Sequence, residues 1–238
     1  MANEHLSVKA GFVPQLHGIE LVPPEKPEKP EPGMYGENGV LIKSWAQMVE
    51  DGDVIISNGT LSTPSNKSTR FANTKVVSMP DNDNITTLDY NTFSLCTDIE
   101  EVYLPNTLTK MKNQTFYGCT SLKHVVIPDS VSEMWRENFV GCSSLESIVL
   151  PTSLEIIGAL LLCQCTNLKS VVIPPSVEAI YQSAFAECDS LTKITIPSSV
   201  TSIDDTAFDM CYNLTTIYYS GTATGAPWGA ENATVVAA

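Results

Sequence analysis

Leu191-Thr-Lys-Ile194-Thr-Ile196-Pro197-Ser-Ser-Val200-Thr-Ser-Ile203-Asp-Asp-Thr-Ala207-Phe208-Asp-Met-Cys211 holds every position that recurs through the middle of this chain. One period earlier the same places hold Leu168, Val171, Ile173, Pro174, Val177, Ile180, Phe185 and Cys188. Before them come Leu145, Ile148, Leu150, Pro151, Leu154, Ile157, Leu162 and Cys165. Prolines at Pro105, Pro128, Pro151, Pro174 and Pro197 step by 23 residues, as do cysteines at Cys96, Cys119, Cys142, Cys165, Cys188 and Cys211.

A fixed period of roughly 20–50 residues signals a solenoid. Energetics says why the units must stack. Each large apolar side chain gives roughly 1.5–3 kcal/mol when buried, and a unit has only six or seven of them. Ordering a residue costs on the order of 1.5 kcal/mol, so a lone unit fails and neighbours must share one core.

Two periods are read within each unit. In Leu122-x-x-Val125-x-Ile127 the last two apolar residues alternate, as in a strand, and Pro128 ends it. Val131, Met134 and Phe139, like Val177, Ile180, Ala184 and Phe185, suit one face of a short helix. Ser130 and Glu133 have the spacing of a capping box. Each coil is therefore expected to give one strand in a parallel sheet and one short helix on the outside.

The order Leu-x-x-Ile/Val-x-Ile/Leu-Pro-x-Ser-Val/Leu-x-x-Ile-x-x-x-Ala-Phe-x-x-Cys resembles the BspA-like class of bacterial leucine-rich repeats, and Pro197 to Cys211 follows it closely. The fourth unit departs, with Leu161-Leu162 for Ala-Phe and an extra Cys163. The resemblance covers about residues 71–220. It implies an α/β solenoid: a right-handed leucine-rich repeat coil with one parallel sheet, short helices on the opposite side, and caps at both ends. Members of the class are often bacterial surface adhesins, and similar repeats occur in proteins of prophage type.

Four regions are expected. Residues 1–33 form a Pro-rich arm, with Pro23-Pro-Glu-Lys-Pro-Glu-Lys-Pro-Glu-Pro32 in extended polyproline II. Two readings fit it: a plain tether, or, given the apolar patches Gly11 to Leu16 and Ile19 to Val22, an arm whose residues 1–22 dock on a partner or a second copy. Residues 34–70 read as a lid: a strand at Val40–Ile42, a helix from Trp45 capped by Ser44 and ended by Gly52, a strand at Val54–Ile56, a turn at Asn58-Gly59, then loop. Residues 71–220 form the solenoid, beginning with a degenerate unit that carries Val77, Met79, Pro80 and Phe93. Residues 221–238 close it, with Trp228 over the open end and Val235-Val236 as an edge strand.

With 27 acidic and 13 basic residues the net charge is −14. That sign repels phosphate backbones and anionic lipid, so neither nucleic acid nor membrane insertion is expected. Seven cysteines in register make a poor disulfide framework and read as a buried ladder of small apolar groups. No stretch is apolar enough to span a bilayer, and Met1 to Lys9 lacks the basic start of a signal peptide.

No catalytic, cofactor or metal site is expected. G-x-S-x-G and phosphate-loop motifs are absent, and His5, His17 and His124 are scattered. Asp81-Asn-Asp-Asn84 begins like a calcium loop, but Thr86 and Thr92 stand where glycine and glutamate are needed. One feature rises above background. Between the inward residues of each strand lie Ser78, Tyr103, Val126, Val149, Val172, Thr195 and Tyr218, a row expected to stack at about 4.8 Å along the open sheet. Two readings fit: β-branched residues suit strands, or Tyr103, Val126, Val149, Val172, Thr195 and Tyr218 form a partner-binding strip. The expected function is a non-enzymatic recognition or adhesion module for a protein or glycan. The alternative is a structural or decoration component of a phage or prophage particle, anchored by the arm.

Overall fold

The computed structural model describes residues 28–66, 69, 71–81 and 84–238. It also describes the antiparallel pair Gln15–Leu16 and Ile19–Glu20. The expected docking of residues 1–22 otherwise lies outside the described residues, as do His5 and His17.

The chain is a β-solenoid. Its front is built from Val76–Ser78, Glu101–Tyr103, His124–Val126, Ser147–Val149, Ser170–Val172, Lys193–Thr195 and Thr216–Tyr218. Hydrogen-bonded neighbours run parallel and in register: Val77 faces Val102 and then Val125, Ile148 faces Val171, and Ile194 faces Ile217. These central residues point inward and are buried, and so are Leu104, Ile127, Leu150, Ile173 and Ile196 just beyond each strand. The proline that follows then turns the chain. Its carbonyl accepts the backbone N–H three residues on, as in Val131 to Pro128 and Val200 to Pro197.

The far side differs from the helical expectation. Among the described residues there is no helix between Phe71 and Ala238. Two-residue strands stand there instead: Thr87–Leu88, Lys110–Met111, Glu133–Met134, Ile156–Ile157, Ala179–Ile180 and Ser202–Ile203. They form short parallel ladders, a second narrow sheet. Two physical reasons combine. All but the last of the turns that follow carry left-handed residues four apart, Asn91 with Leu95, Gln114 with Gly118, Glu137 with Gly141, Leu160 with Gln164 and Ser183 with Glu187, which no α-helix tolerates, and the last carries Met210. The backbone also bonds between coils, with the N–H of Trp135 to Met111 and that of Phe139 to Leu161.

The capping box is likewise replaced. The Ser130 hydroxyl donates to the carbonyls of Asn106 (2.9 Å) and Leu108 (2.6 Å) in the preceding coil. Ser153, Ser176 and Ser199 repeat the link. Glu133 pairs with Lys110 instead, at 2.9 Å.

One continuous core fills the coil. Phe93, Phe116 and Phe139 stack with centroids 5.5 and 5.4 Å apart. Leu162 interrupts the stack, and Phe185 and Phe208 resume it at 5.1 Å. Cys163 lies outside this stack, packed with Val140 and Ala186 in a small corner cluster. All seven cysteines are buried, and none is in a disulfide. Each repeat thiol from Cys119 onward donates to a backbone carbonyl in the coil before it: Cys119 to Phe93, Cys142 to Phe116, Cys165 to Phe139, Cys188 to Leu162 and Cys211 to Phe185.

At the N-terminal end, Gly33–Tyr35 joins the front sheet antiparallel to Val76–Ser78, and Leu41–Ser44 pairs outside it. Ser44 caps the helix Trp45–Glu50, its hydroxyl accepting from the Gln47 N–H at 3.3 Å. Trp45 and Met48 bury themselves in the core. Thr60–Ser62, read from sequence as loop, forms a hairpin with Ile55–Ser57, because Asn58 and Gly59 both adopt the positive φ that such a two-residue turn requires. At the other end Thr234–Val236 adds in parallel to Thr216–Tyr218, and Trp228 is buried in the last core layer.

Candidate recognition surface

The front sheet sets the geometry of the candidate site. Its strands are three residues long, so the outward side chains fall in two rows flanking the buried central residue. Register puts Ser78 beside Tyr103, Tyr103 beside Val126, Val149 beside Val172, and Thr195 beside Tyr218. The strands of Val126 and Val149 pack side by side, as do those of Val172 and Thr195. All six sequence-derived site residues thus share one row on one face.

Exposure varies along the row. Val149 is 38% exposed, and Val126, Val172, Thr195 and Tyr218 are half-buried. Tyr103 is different: it is 8% exposed, and its hydroxyl donates to Glu101 Oε2 at 2.8 Å. Burial, with the Glu101 carboxylate next to it, pushes its phenol well above the usual range. Tyr103 therefore borders the strip rather than presenting its ring to solvent. Ser78 is fully buried.

The N-terminal arm explains the closed end. The Ser78 hydroxyl donates to the Pro30 carbonyl at 2.7 Å. Tyr35, on the adjacent strand, donates to the Glu31 carbonyl at 2.5 Å. Lys29 pairs with Asp81 at 2.9 Å, and the same Asp81 oxygen accepts the backbone N–H of Asn106 at 2.8 Å. Burial alone would raise the Asp81 carboxyl, but Asn106 and Lys29 outweigh it and hold the carboxyl low. Asp81 is thus an anchor for the arm. Sequence reading missed this contact because it joins residues about fifty positions apart with no repeat to reveal it.

The flanking row holds exposed His124 and Lys193 and half-buried Glu101, Ser147, Ser170 and Thr216. Just before it, Glu100 bridges Lys75 at 3.1 Å and Lys123 at 2.5 Å. Lys123 first, then Lys75, holds the Glu100 carboxyl low. Among the described residues no three His, Cys, Asp or Glu side chains gather as a metal site. No helix among them is long and apolar enough to cross a membrane. What this face offers chemically is an apolar strip between polar margins.

The sequence matches the family model described as "BspA type Leucine rich repeat region (6 copies)" over residues 55–146 and 136–227. A comparison with curated proteins gave no match. Among solved structures, the leucine-rich repeat protein of T. pallidum is similar over 74% of this chain and 83% of its own, with 24% identity and TM-score 0.64. A leucine-rich cell surface protein from Faecalibacterium prausnitzii A2-165 is 28% identical, with TM-score 0.58, over 71% of this chain and 46% of its own. The pneumococcal vaccine antigen PcpA shares the fold at 16% identity and TM-score 0.59, over 80% of this chain and 49% of its own.

Proposed function

The chain belongs to the BspA-type leucine-rich repeat family, and from that premise we propose that it is a non-enzymatic recognition module that binds a protein through the outward face of its front sheet. The observation that carries this reading is the aligned row of Val126, Val149 and Val172, apolar and open to solvent at its centre. Isolated apolar side chains on a surface are ordinary, whereas a contiguous apolar patch with a polar rim is a common mark of a protein contact. Thr195 and Tyr218 extend the row, and tyrosine is favoured in such contacts. Likeness to a cell surface protein supports an extracellular setting with an adhesive role.

The test uses partners selected by surface display from extracellular proteins. Val149→Asp with Val172→Asp places two charges in the strip while the inward neighbours Ile148 and Val171 stay in the core. Binding should fall at least tenfold, equivalent to about 1.4 kcal/mol, with the circular dichroism spectrum and Tm unchanged. Undiminished binding by that variant would remove the strip as the site. Co-purification with virions, with no surface-displayed partner, would instead favour a particle component.

A further inference from the structure

We propose a second binding site, on the back of the solenoid, for an uncharged polysaccharide in extended form. It lies on the far side from the valine strip and does not depend on it. In the short back strands the second residue is buried in the core, as Met134, Ile157 and Ile180 are. Alternation turns the next residue outward. In that row stand Trp135 and Tyr181, 36% and 47% exposed. Gly158 holds the same place in the coil between them and puts no side chain there. The three coils are tied at this level by the N–H of Glu137 to Ala159 and that of Leu160 to Gln182. Two strand spacings, about 10 Å, therefore separate the two rings along the solenoid.

Trp135 is held in place. Its indole N–H donates to Glu133 Oε2 at 3.3 Å, and the Lys110 ammonium lies 5.9 Å from its ring centre. Exposed Tyr90 meets it edge to face at 5.8 Å, and Lys112 lies 4.9 Å over Tyr90. Rings fixed in this way lose little freedom when a ligand stacks on them. Chemistry then selects the ligand. A sugar ring has C–H bonds on its faces and hydroxyls round its rim. The negative face of an aromatic ring takes the first. Planar polar side chains take the second, and the adjoining row supplies half-buried Asn113 with exposed Arg136 and Gln182. In an extended β-linked chain every second sugar turns the same way, so rings two coils apart meet alternate sugars. Charge agrees. Lys110 with Glu133, Lys112 with Asp89 and Arg136 with Glu137 pair off, so the patch is neutral on a chain of net charge −14. The molecule as a whole would repel an anionic polymer, and a cationic one would settle on the acidic remainder. A protein interface would have to desolvate the ion pairs set among the rings, whereas a hydroxylated ligand keeps them hydrogen-bonded.

Native affinity electrophoresis of the full chain tests the site. Mixed-linkage β-glucan and hydroxyethylcellulose serve as extended neutral polymers, dextran as a flexible α-linked one and carboxymethylcellulose as a charged one. Retardation by the first two alone is expected. Trp135→Ala and Tyr181→Ala each remove an exposed side chain, and each should weaken the interaction about tenfold or more with Tm unchanged. Trp135→Phe keeps a ring and should keep most of the binding. Fluorescence gives a second readout. Trp45 and Trp228 are buried, so acrylamide quenching reads chiefly Trp135 and should fall when cellohexaose binds. Val149→Asp with Val172→Asp should leave the retardation intact, which separates this site from the front sheet. No retardation by either extended polymer would overturn the proposal, as would retardation that survives both alanine variants. Equal retardation by dextran would overturn the assignment to an extended chain.

Discussion

At the scale of the residue, the cysteine explains much of the period. It sits where the chain turns back toward the front sheet and has room for a small side chain with one donor. The thiol meets a carbonyl of the coil before it, such as that of Phe116 for Cys142 at 3.2 Å. Burial pushes the thiols of Cys142 and Cys165 up, and burial with Glu187 nearby pushes Cys163 to about 11. In the unfolded chain the same groups ionise near 9.0. Their folded pKa is raised, so their contribution is complete below that value and is lost as pH rises above it. Tm should therefore fall steadily from about pH 9 upward, and native thiols should resist maleimide at neutral pH until the chain unfolds. Rapid modification of Cys142 or Cys165 in folded protein, followed by peptide mapping, would show the ladder to be open.

At the scale of the element, what holds a coil is its neighbour. Ser153 donates to the carbonyls of both Asp129 and Val131 at 2.7 Å. Ser153→Ala should cost about 1 kcal/mol in chemical denaturation, the usual net value of one intramolecular hydrogen bond. Phe139→Ala, in the middle of the aromatic stack, should cost about 3–5 kcal/mol. Comparable losses from the two would mean the stack is not the principal tie. The front strands were legible in sequence because alternation at Val125 and Ile127 is local. The back was not. Val131, Met134 and Phe139 have helix-like spacing, and Ser130 with Glu133 mimics a cap, but the partners that decide the outcome, Leu108 and Lys110, lie one coil earlier. The same holds for the site: the row from Val126 to Tyr218 follows from strand alternation, whereas the covering of Ser78 and the burial of Tyr103 depend on contacts that leave no periodic trace.

At the scale of the whole molecule, charge is arranged as well as abundant. Asp89 with Lys112, Glu100 with Lys123, Lys110 with Glu133 and Glu146 with Lys169 are opposite charges one period apart and in contact. Lysine partners hold the Glu100 and Glu133 carboxyls below their ordinary value of 4.5. Depressed carboxyls stabilise above that value and stop doing so as pH falls through their folded pKa. Glu100→Gln should thus be less stable than the parent at neutral pH, with the gap closing in acid below about pH 4. A gap independent of pH would assign the loss to packing. The register of the front strands has one more consequence. Excising residues 143–165 would join Cys142 to Thr166 and leave an intact motif, with Val126 now beside Val172. Reach along the binding face is then a matter of how many copies the gene holds, adjustable by duplication or loss without redesigning a single contact.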